Sequence, residues 1–134
     1  MAANNHNVDK VLHPDLSYKI VGICFEVHNE LGQFAREKQY ADLLEDKLKS
    51  QNLKYNRELI LGDSGNIIDF LVENKIALEL KTKRLVGRSE YRQIQNYLQQ
   101  SKLDLGLLIN FSDKFLRPKR ILRTTARAPI RSDS

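Results

Sequence analysis

Three charged residues set inside apolar runs carry whatever chemistry this chain performs. Asp69, Glu79 and Lys81 lie within NIIDFLVENKIALELKTKR, residues 66–84. Asn74 and Lys75 divide that stretch into two strand-like runs, so it reads as a hairpin. In the second run Ile76, Leu78 and Leu80 alternate with Ala77, Glu79, Lys81 and Lys83, which makes Glu79 and Lys81 neighbours on one face. Strand interiors are poor in Glu and Lys, and a charge pair there needs a reason. A two-residue loop would leave Asp69 opposite Leu80 and turned away from Glu79. An odd loop or a single bulge sets Asp69 opposite Lys81 and diagonal to Glu79, and this register is predicted. Two carboxylates about 4 Å apart repel by roughly 4 kcal/mol at an effective dielectric of ~20. Their convergence calls for a divalent cation or a raised pKa. Oxygen-only ligands favour magnesium or manganese over zinc.

The elements that must position these residues follow from spacing. Pro14 precedes the candidate caps Asp15 and Ser17, and Ile20, Ile23, Cys24, Val27 and Leu31 then recur at helical spacing up to Gly32. His28 lies beside that stripe and reads as a packing residue that bonds the loop following the helix. A second helix is predicted over residues 36–51, with Tyr40, Leu43, Leu44 and Leu48 facing inward and Glu37 sharing their side. Two readings of Glu37 stand side by side: a functional acid, or a first-turn acid favoured by the helix dipole by about 0.3–1 kcal/mol. Residues 55–61 read as a strand, Gly62 to Gly65 as a turn, residues 90–100 as a third helix, and LGLLINF, residues 105–111, as a strand buried on both faces. Residues 119–123 add an edge strand whose basic residues discourage further pairing. The order helix, helix, three strands, helix, strand, strand describes a mixed sheet with helices on its faces.

At 134 residues, 41% hydrophobic and 29% charged, the chain has the size and balance of one globular domain with a core. No apolar run approaches the ~20 residues that span a bilayer, and the first residues lack the apolar stretch of a signal peptide. No membrane partner and a cytoplasmic location are expected. Cys24 is the sole cysteine, which excludes an internal disulfide and a thiolate-rich metal site, and it reads as a small packing hydrophobe. Charge is unevenly distributed. Lys114, Arg117, Lys119, Arg120, Arg123, Arg127 and Arg131 occur in a span without acids, so residues 114–131 carry +7 of a net +5 and the remainder −2. A polyanion such as DNA or RNA is the partner such a segment attracts; a solvated basic tail is the plain alternative.

Asp69 followed by Glu79-Leu80-Lys81 on an adjacent strand resembles the core of the PD-(D/E)XK nuclease superfamily, the restriction-endonuclease-like fold. Gln93-Ile94-Gln95-Asn96-Tyr97 is similar to the Gln-x-x-x-Tyr element of its RecB-like members, and Glu37 stands where they carry a helix glutamate. Phe25-Glu26-Val27-His28, Leu31-Gly32, Glu37-Lys38-Gln39-Tyr40, Tyr97-Leu98 and the Leu105 to Phe111 run together resemble the GxxExxY family, over residues 16–123. Two positions depart from the pattern. Phe34 stands where the family name places glycine, which bears on the loop before Glu37, and Ile68 replaces the superfamily's proline.

The resemblance implies a three-layer α/β/α domain over residues 15–123 around a mixed sheet of about five strands, with a flexible arm at 1–14 and a basic flexible tail at 124–134. It implies magnesium or manganese held by Asp69 and Glu79, with the Leu80 carbonyl and Glu37 as further ligands. Lys81 would orient or help deprotonate the attacking water. Gln93 and Tyr97 would support the site from the third helix, although Tyr97 also reads as plain core packing. Lys114, Arg117, Lys119, Arg120 and Arg123 would contact nucleic acid. Because duplex cutting by this fold takes two sites, a homodimer is also implied. Two other functions compete with a nuclease: a non-catalytic nucleic-acid-binding module that keeps the fold, and a regulatory subunit in which the charged residues form a buried ion-pair cluster. A purely structural cluster is the weaker explanation, since desolvation offsets most of its attraction.

Overall fold

The computed structural model describes residues 12–62 and 65–124. Residues 1–11 of the expected arm at 1–14, residues 125–134 of the expected tail at 124–134 and the turn residues Asp63 and Ser64 lie outside these. Helix α1 spans Pro14–Leu31 and α2 spans Glu37–Ser50; strands β1 (Tyr55–Leu61), β2 (Asn66–Val72) and β3 (Ile76–Lys81) follow, then α3 (Arg88–Ser101), β4 (Leu105–Asn110) and β5 (Lys119–Leu122). The sheet runs β1-β2-β3-β4-β5. Only β3 and β4 are parallel, joined by the α3 crossover that a parallel pair requires, and the other neighbours are antiparallel.

Apolar residues on both faces explain the layering. Ile20, Ile23, Cys24 and Val27 of α1 and Tyr40, Leu44 and Leu48 of α2 pack against Phe70, Val72, Ile76, Leu78, Leu80, Leu107 and Ile109. Ile94, Tyr97 and Leu98 of α3 pack on the opposite face against Ile68, Ala77, Leu108 and Ile121. The result is the three-layer α/β/α fold with a five-stranded mixed sheet, and β4 is buried along its whole length. Gly106 is what lets α3 settle so closely. A Cβ there would stand 2.8 Å from Cγ2 of Ile94.

Helix α1 starts one residue before the expected caps. Pro14 takes the first helical position, which its missing N–H and fixed φ suit. Ser17 is no cap but a buried acceptor for the Arg120 guanidinium, Nη1 to Oγ 2.8 Å. Gly32 ends the helix at φ 75°, and its N–H donates to the His28 carbonyl. The His28 ring reaches elsewhere than the expected loop. Its Nε2 donates to the Asp113 carbonyl at 2.8 Å, tying α1 to the segment after β4.

The hairpin between β2 and β3 has the odd loop, with Glu73 and Asn74 at φ 54° and 55° and Lys75 N–H bonded to the Val72 carbonyl. Val72 pairs with Ile76 and Phe70 with Leu78, so extending the register by one residue sets Asp69 level with Glu79. The expected placement of Asp69 opposite Lys81 is therefore off by two residues. The three-residue loop is centred on Asn74 rather than on Lys75, as that placement required, because the consecutive left-handed residues Glu73 and Asn74 reverse the chain one position earlier.

Candidate functional site

Asp69 occupies the point where β2 turns over. Ile68 packs under α3 whereas Phe70, two residues on, packs under α1 and α2. Strict alternation would put both on one face. On β1 the register passes from Arg57–Phe70 to Leu59–Ile68, and Glu58 between them has φ 55°, a conformation uncommon for a non-glycine residue. This irregularity frees Asp69 from the ladder. Its Oδ2 accepts the Leu80 N–H at 2.7 Å, so the aspartate side chain takes up a β3 donor at the point where the two strands part.

Glu79 and Lys81 sit at the carboxyl end of β3. Lys81 Nζ lies 3.2 Å from Glu79 Oε2, and the other carboxylate oxygen, Oε1, is buried with no hydrogen-bond partner among the described residues. Glu79 is only 3% exposed. Burial, then the Asp69 charge, pushes its carboxyl up to about 7 despite the attraction of Lys81. Burial also raises Asp69, against the opposing Leu80 N–H and Lys81. The Lys81 pKa is raised as well, in its case favouring the charged form: burial opposes its charge, yet Glu79, Glu37 and Asp69 outweigh it and hold the ammonium above its ordinary pKa. The site is short of positive charge, and its lysine stays a cation.

Glu37 opens α2 and lines a cavity of about 540 Å³ with Glu58, Asp69, Phe70 and Leu80. It is solvent-exposed at the cavity mouth rather than on the buried side that its spacing suggested. The helix begins at Glu37 itself, so its side chain leaves from the first turn before the apolar stripe is covered. Burial and the Asp69 charge raise its pKa. Tyr40 holds this corner: its hydroxyl donates to the Gly32 carbonyl at 2.5 Å and accepts the Ala35 N–H at 3.1 Å, while its ring stacks on Phe111 at 4.3 Å. Phe34 is 90% exposed and is not among the residues at positive φ, so the loop does not need glycine there.

The family comparison bears on this arrangement. Residues 14–123 match the model of the PD-(D/E)XK nuclease superfamily, under the name PDDEXK_3. The chain belongs to this superfamily. A solved structure it resembles, a crystal structure of SSO0001, is 18% identical with a TM-score of 0.49, over 80% of this chain. The chain spans 64% of that protein's length. Comparison with functionally curated proteins finds no match.

PD-(D/E)XK nucleases typically use divalent metals, and the donor atoms here suit one. No group of three or more His, Cys, Asp or Glu side chains among the described residues is close enough to enclose an ion. Magnesium does not require such a cage, being held usually by one or two carboxylates, with water and substrate oxygens completing the octahedron. A buried carboxylate oxygen without a partner beside a second carboxylate is what such an ion would satisfy. Glu37 stands in the same cavity as Asp69 but outside a compact three-acid group.

The remaining candidates divide. Tyr97 is buried under the sheet among Ile68, Ala77 and Leu108, and Gln93 is half-buried on α3; neither is hydrogen-bonded to Asp69, Glu79 or Lys81. Arg120 is engaged by Ser17 and the Leu12 carbonyl, and Arg123 by Asp104 at 2.8 Å. Lys114 lies over the Phe115 ring, whereas Arg117 and Lys119 line a second cavity.

Two residues that spacing did not single out shape the site. Asn110, level with Lys81 across the parallel pair, donates from Nδ2 to the Lys83 carbonyl at 2.7 Å and accepts the Lys83 N–H at 3.1 Å through Oδ1. It clamps the chain just beyond Lys81. A polar residue inside the otherwise apolar LGLLINF run was its signal. Glu58 had none, because a left-handed residue within a strand leaves no mark in residue type.

Proposed function

We propose that this protein is a metal-dependent nuclease that hydrolyses phosphodiester bonds of DNA or RNA, with Asp69 and Glu79 holding magnesium or manganese. The observation that supports it best is the buried, unpartnered Oε1 of Glu79, a carboxylate whose other oxygen meets the Lys81 ammonium and which feels the Asp69 charge. A divalent cation bound there supplies Lewis acidity at the phosphate and a more acidic water. The chain's own residues do the rest. Leu80 N–H anchors Asp69 in its orientation. Lys81, kept protonated by the surrounding acids, orients the attacking water and donates to a non-bridging phosphate oxygen as charge builds there. Water attacks phosphorus and gives up a proton to solvent, the bond to the leaving oxygen breaks, and that oxygen takes its proton from solvent.

Glu37, at the cavity mouth, holds a water or an outer metal ligand, and the Leu80 carbonyl is a further metal ligand. Gln93 and Tyr97 support the site from α3. Lys114, Arg117 and Lys119 bind the nucleic acid, with Arg120 and Arg123 adding to the field from their internal ion pairs and hydrogen bonds. Within the superfamily the chain is a GxxExxY protein, on the motifs between Phe25 and Phe111. Its place of action is the cytoplasm, its domain covers residues 15–123 between the arm at 1–14 and the tail at 124–134, and duplex cleavage would take a homodimer.

Incubation with single-stranded, duplex and branched substrates plus magnesium or manganese tests the activity. Cleavage should vanish with chelator and with Lys81→Ala, and titration calorimetry should detect a manganese site that Asp69→Asn removes. Cleavage that persists in Lys81→Ala with chelator present, or the absence of both cleavage and metal binding, sinks the reading and leaves a nucleic-acid-binding module with the nuclease fold.

A further inference from the structure

A cavity of about 180 Å³ opens on the far side of β3 from Glu37, between the β3–α3 crossover, α3 and the segment before β5. Arg84, Arg117 and Lys119 line it, Leu108 and Val86 form apolar wall, and Tyr91 contributes a ring that is 37% exposed. None of the three cations forms a salt bridge with an acid among the described residues. Asp113 is the one acid lining the cavity. Unpaired cations around a concave, part-apolar pocket form a site for an anion that also carries a flat apolar group.

The sheet register connects this pocket to the candidate site. Glu79 is paired with Leu108, and Leu108 with Lys119, so one row crosses the sheet from the carboxylates to the cavity. Neighbouring strands are about 4.8 Å apart, which puts Lys119 roughly 10 Å from Glu79 along that row. A nucleic-acid strand with one phosphate per ~3.4 Å of axis covers that distance in about three nucleotides.

We propose that this cavity binds one nucleotide of an unpaired nucleic-acid strand, its base against Tyr91 and its phosphate on Arg84, Arg117 and Lys119. The placement of that nucleotide near a scissile bond rests on the nuclease reading; the binding itself does not need metal. A duplex keeps its bases stacked inside and can offer this pocket only phosphates. An unpaired strand offers both the phosphate and the ring. The cavity is too small for a whole drug-sized ligand, which takes about 300 Å³ or more, and its volume suits a single base.

Binding by the full chain is measured in chelator, by fluorescence anisotropy, with a labelled oligothymidine of about 12 nucleotides, alone and annealed to its complement. The single strand should bind at least about fivefold more tightly than the duplex, because an unpaired base can stack on an aromatic ring and a paired one cannot. Tyr91→Ala should weaken single-strand binding roughly tenfold and leave the duplex nearly unaffected, while Tyr91→Phe retains the affinity. Arg117→Ala should lower the slope of log K against log salt by about 0.7. Unchanged single-strand affinity in Tyr91→Ala, equal losses in the Ala and Phe variants, or a preference for duplex would overturn the proposal. Matching far-ultraviolet dichroism guards against misfolding. A parallel cleavage assay with magnesium separates the two readings: Tyr91-dependent binding without cleavage retires the nuclease and keeps the pocket, and cleavage without Tyr91 dependence does the reverse.

Discussion

Replacing Glu79 by glutamine in metal-free protein isolates the cost of a carboxylate held where a cation belongs. Burial and Asp69 raise its pKa from 4.5 to about 7. A raised carboxyl favours the folded state while protonated, so its contribution is complete below the unfolded pKa of 4.5 and is lost as pH rises through about 7. Each pKa unit corresponds to about 1.4 kcal/mol, so ionising Glu79 in the fold costs roughly 3 kcal/mol by pH 8. The attraction of Lys81 is already contained in that net value. Glu79→Gln should therefore match the parent near pH 4 and exceed it by roughly 2–3 kcal/mol at pH 8, about 10 °C in melting temperature for a domain of this size. Urea denaturation in chelator at the two pH values reads the difference directly. Magnesium or manganese should then stabilise the parent at pH 8 by mass action and leave the variant unmoved. A Glu79→Gln effect that is the same at both pH values, or destabilisation by glutamine at pH 8, would refute the reasoning.

Other residues give further tests. Gly106→Ala places a methyl 2.8 Å from Cγ2 of Ile94, so it should destabilise the fold by about 1–3 kcal/mol, measured by denaturant unfolding, and Ile94→Leu, which lacks the Cγ2 branch, should recover part of the loss. Asn110→Ala strips both Lys83 backbone groups of their partner and should cost roughly 1–3 kcal/mol; it should also slow cleavage, since the clamp follows Lys81 directly. The Lys83 ammonium beside Glu90, with the Gly87 N–H, holds the Glu90 carboxyl down at about 2, so its stabilisation is present above the ordinary value and is lost as pH falls through about 2. Glu90→Gln should lower the melting temperature at pH 7, with the gap closing towards pH 2, the folded-state value. A gap that is unchanged in acid would show that the carboxylate charge is not what stabilises, since glutamine keeps an acceptor for the Gly87 N–H.

Residue type and spacing in the sequence were enough for the element order, the mixed sheet, the odd hairpin loop and the short list of charged residues. Apolar periodicity is a local signal, and it locates Ile20 to Leu31, Tyr40 to Leu48 and the LGLLINF strand because each must bury a face. Charges within such runs stand out for the same reason. Tertiary structure decided how those charges meet. The turnover of β2 at Asp69 and the left-handed Glu58 break the two-residue alternation on which any register argument relies. Packing likewise gave Ser17 to Arg120, Asp104 to Arg123 and Asn110 to Lys83, partners 103, 19 and 27 residues apart. Contacts across such separations depend on how layers settle against one another, and no local pattern encodes that.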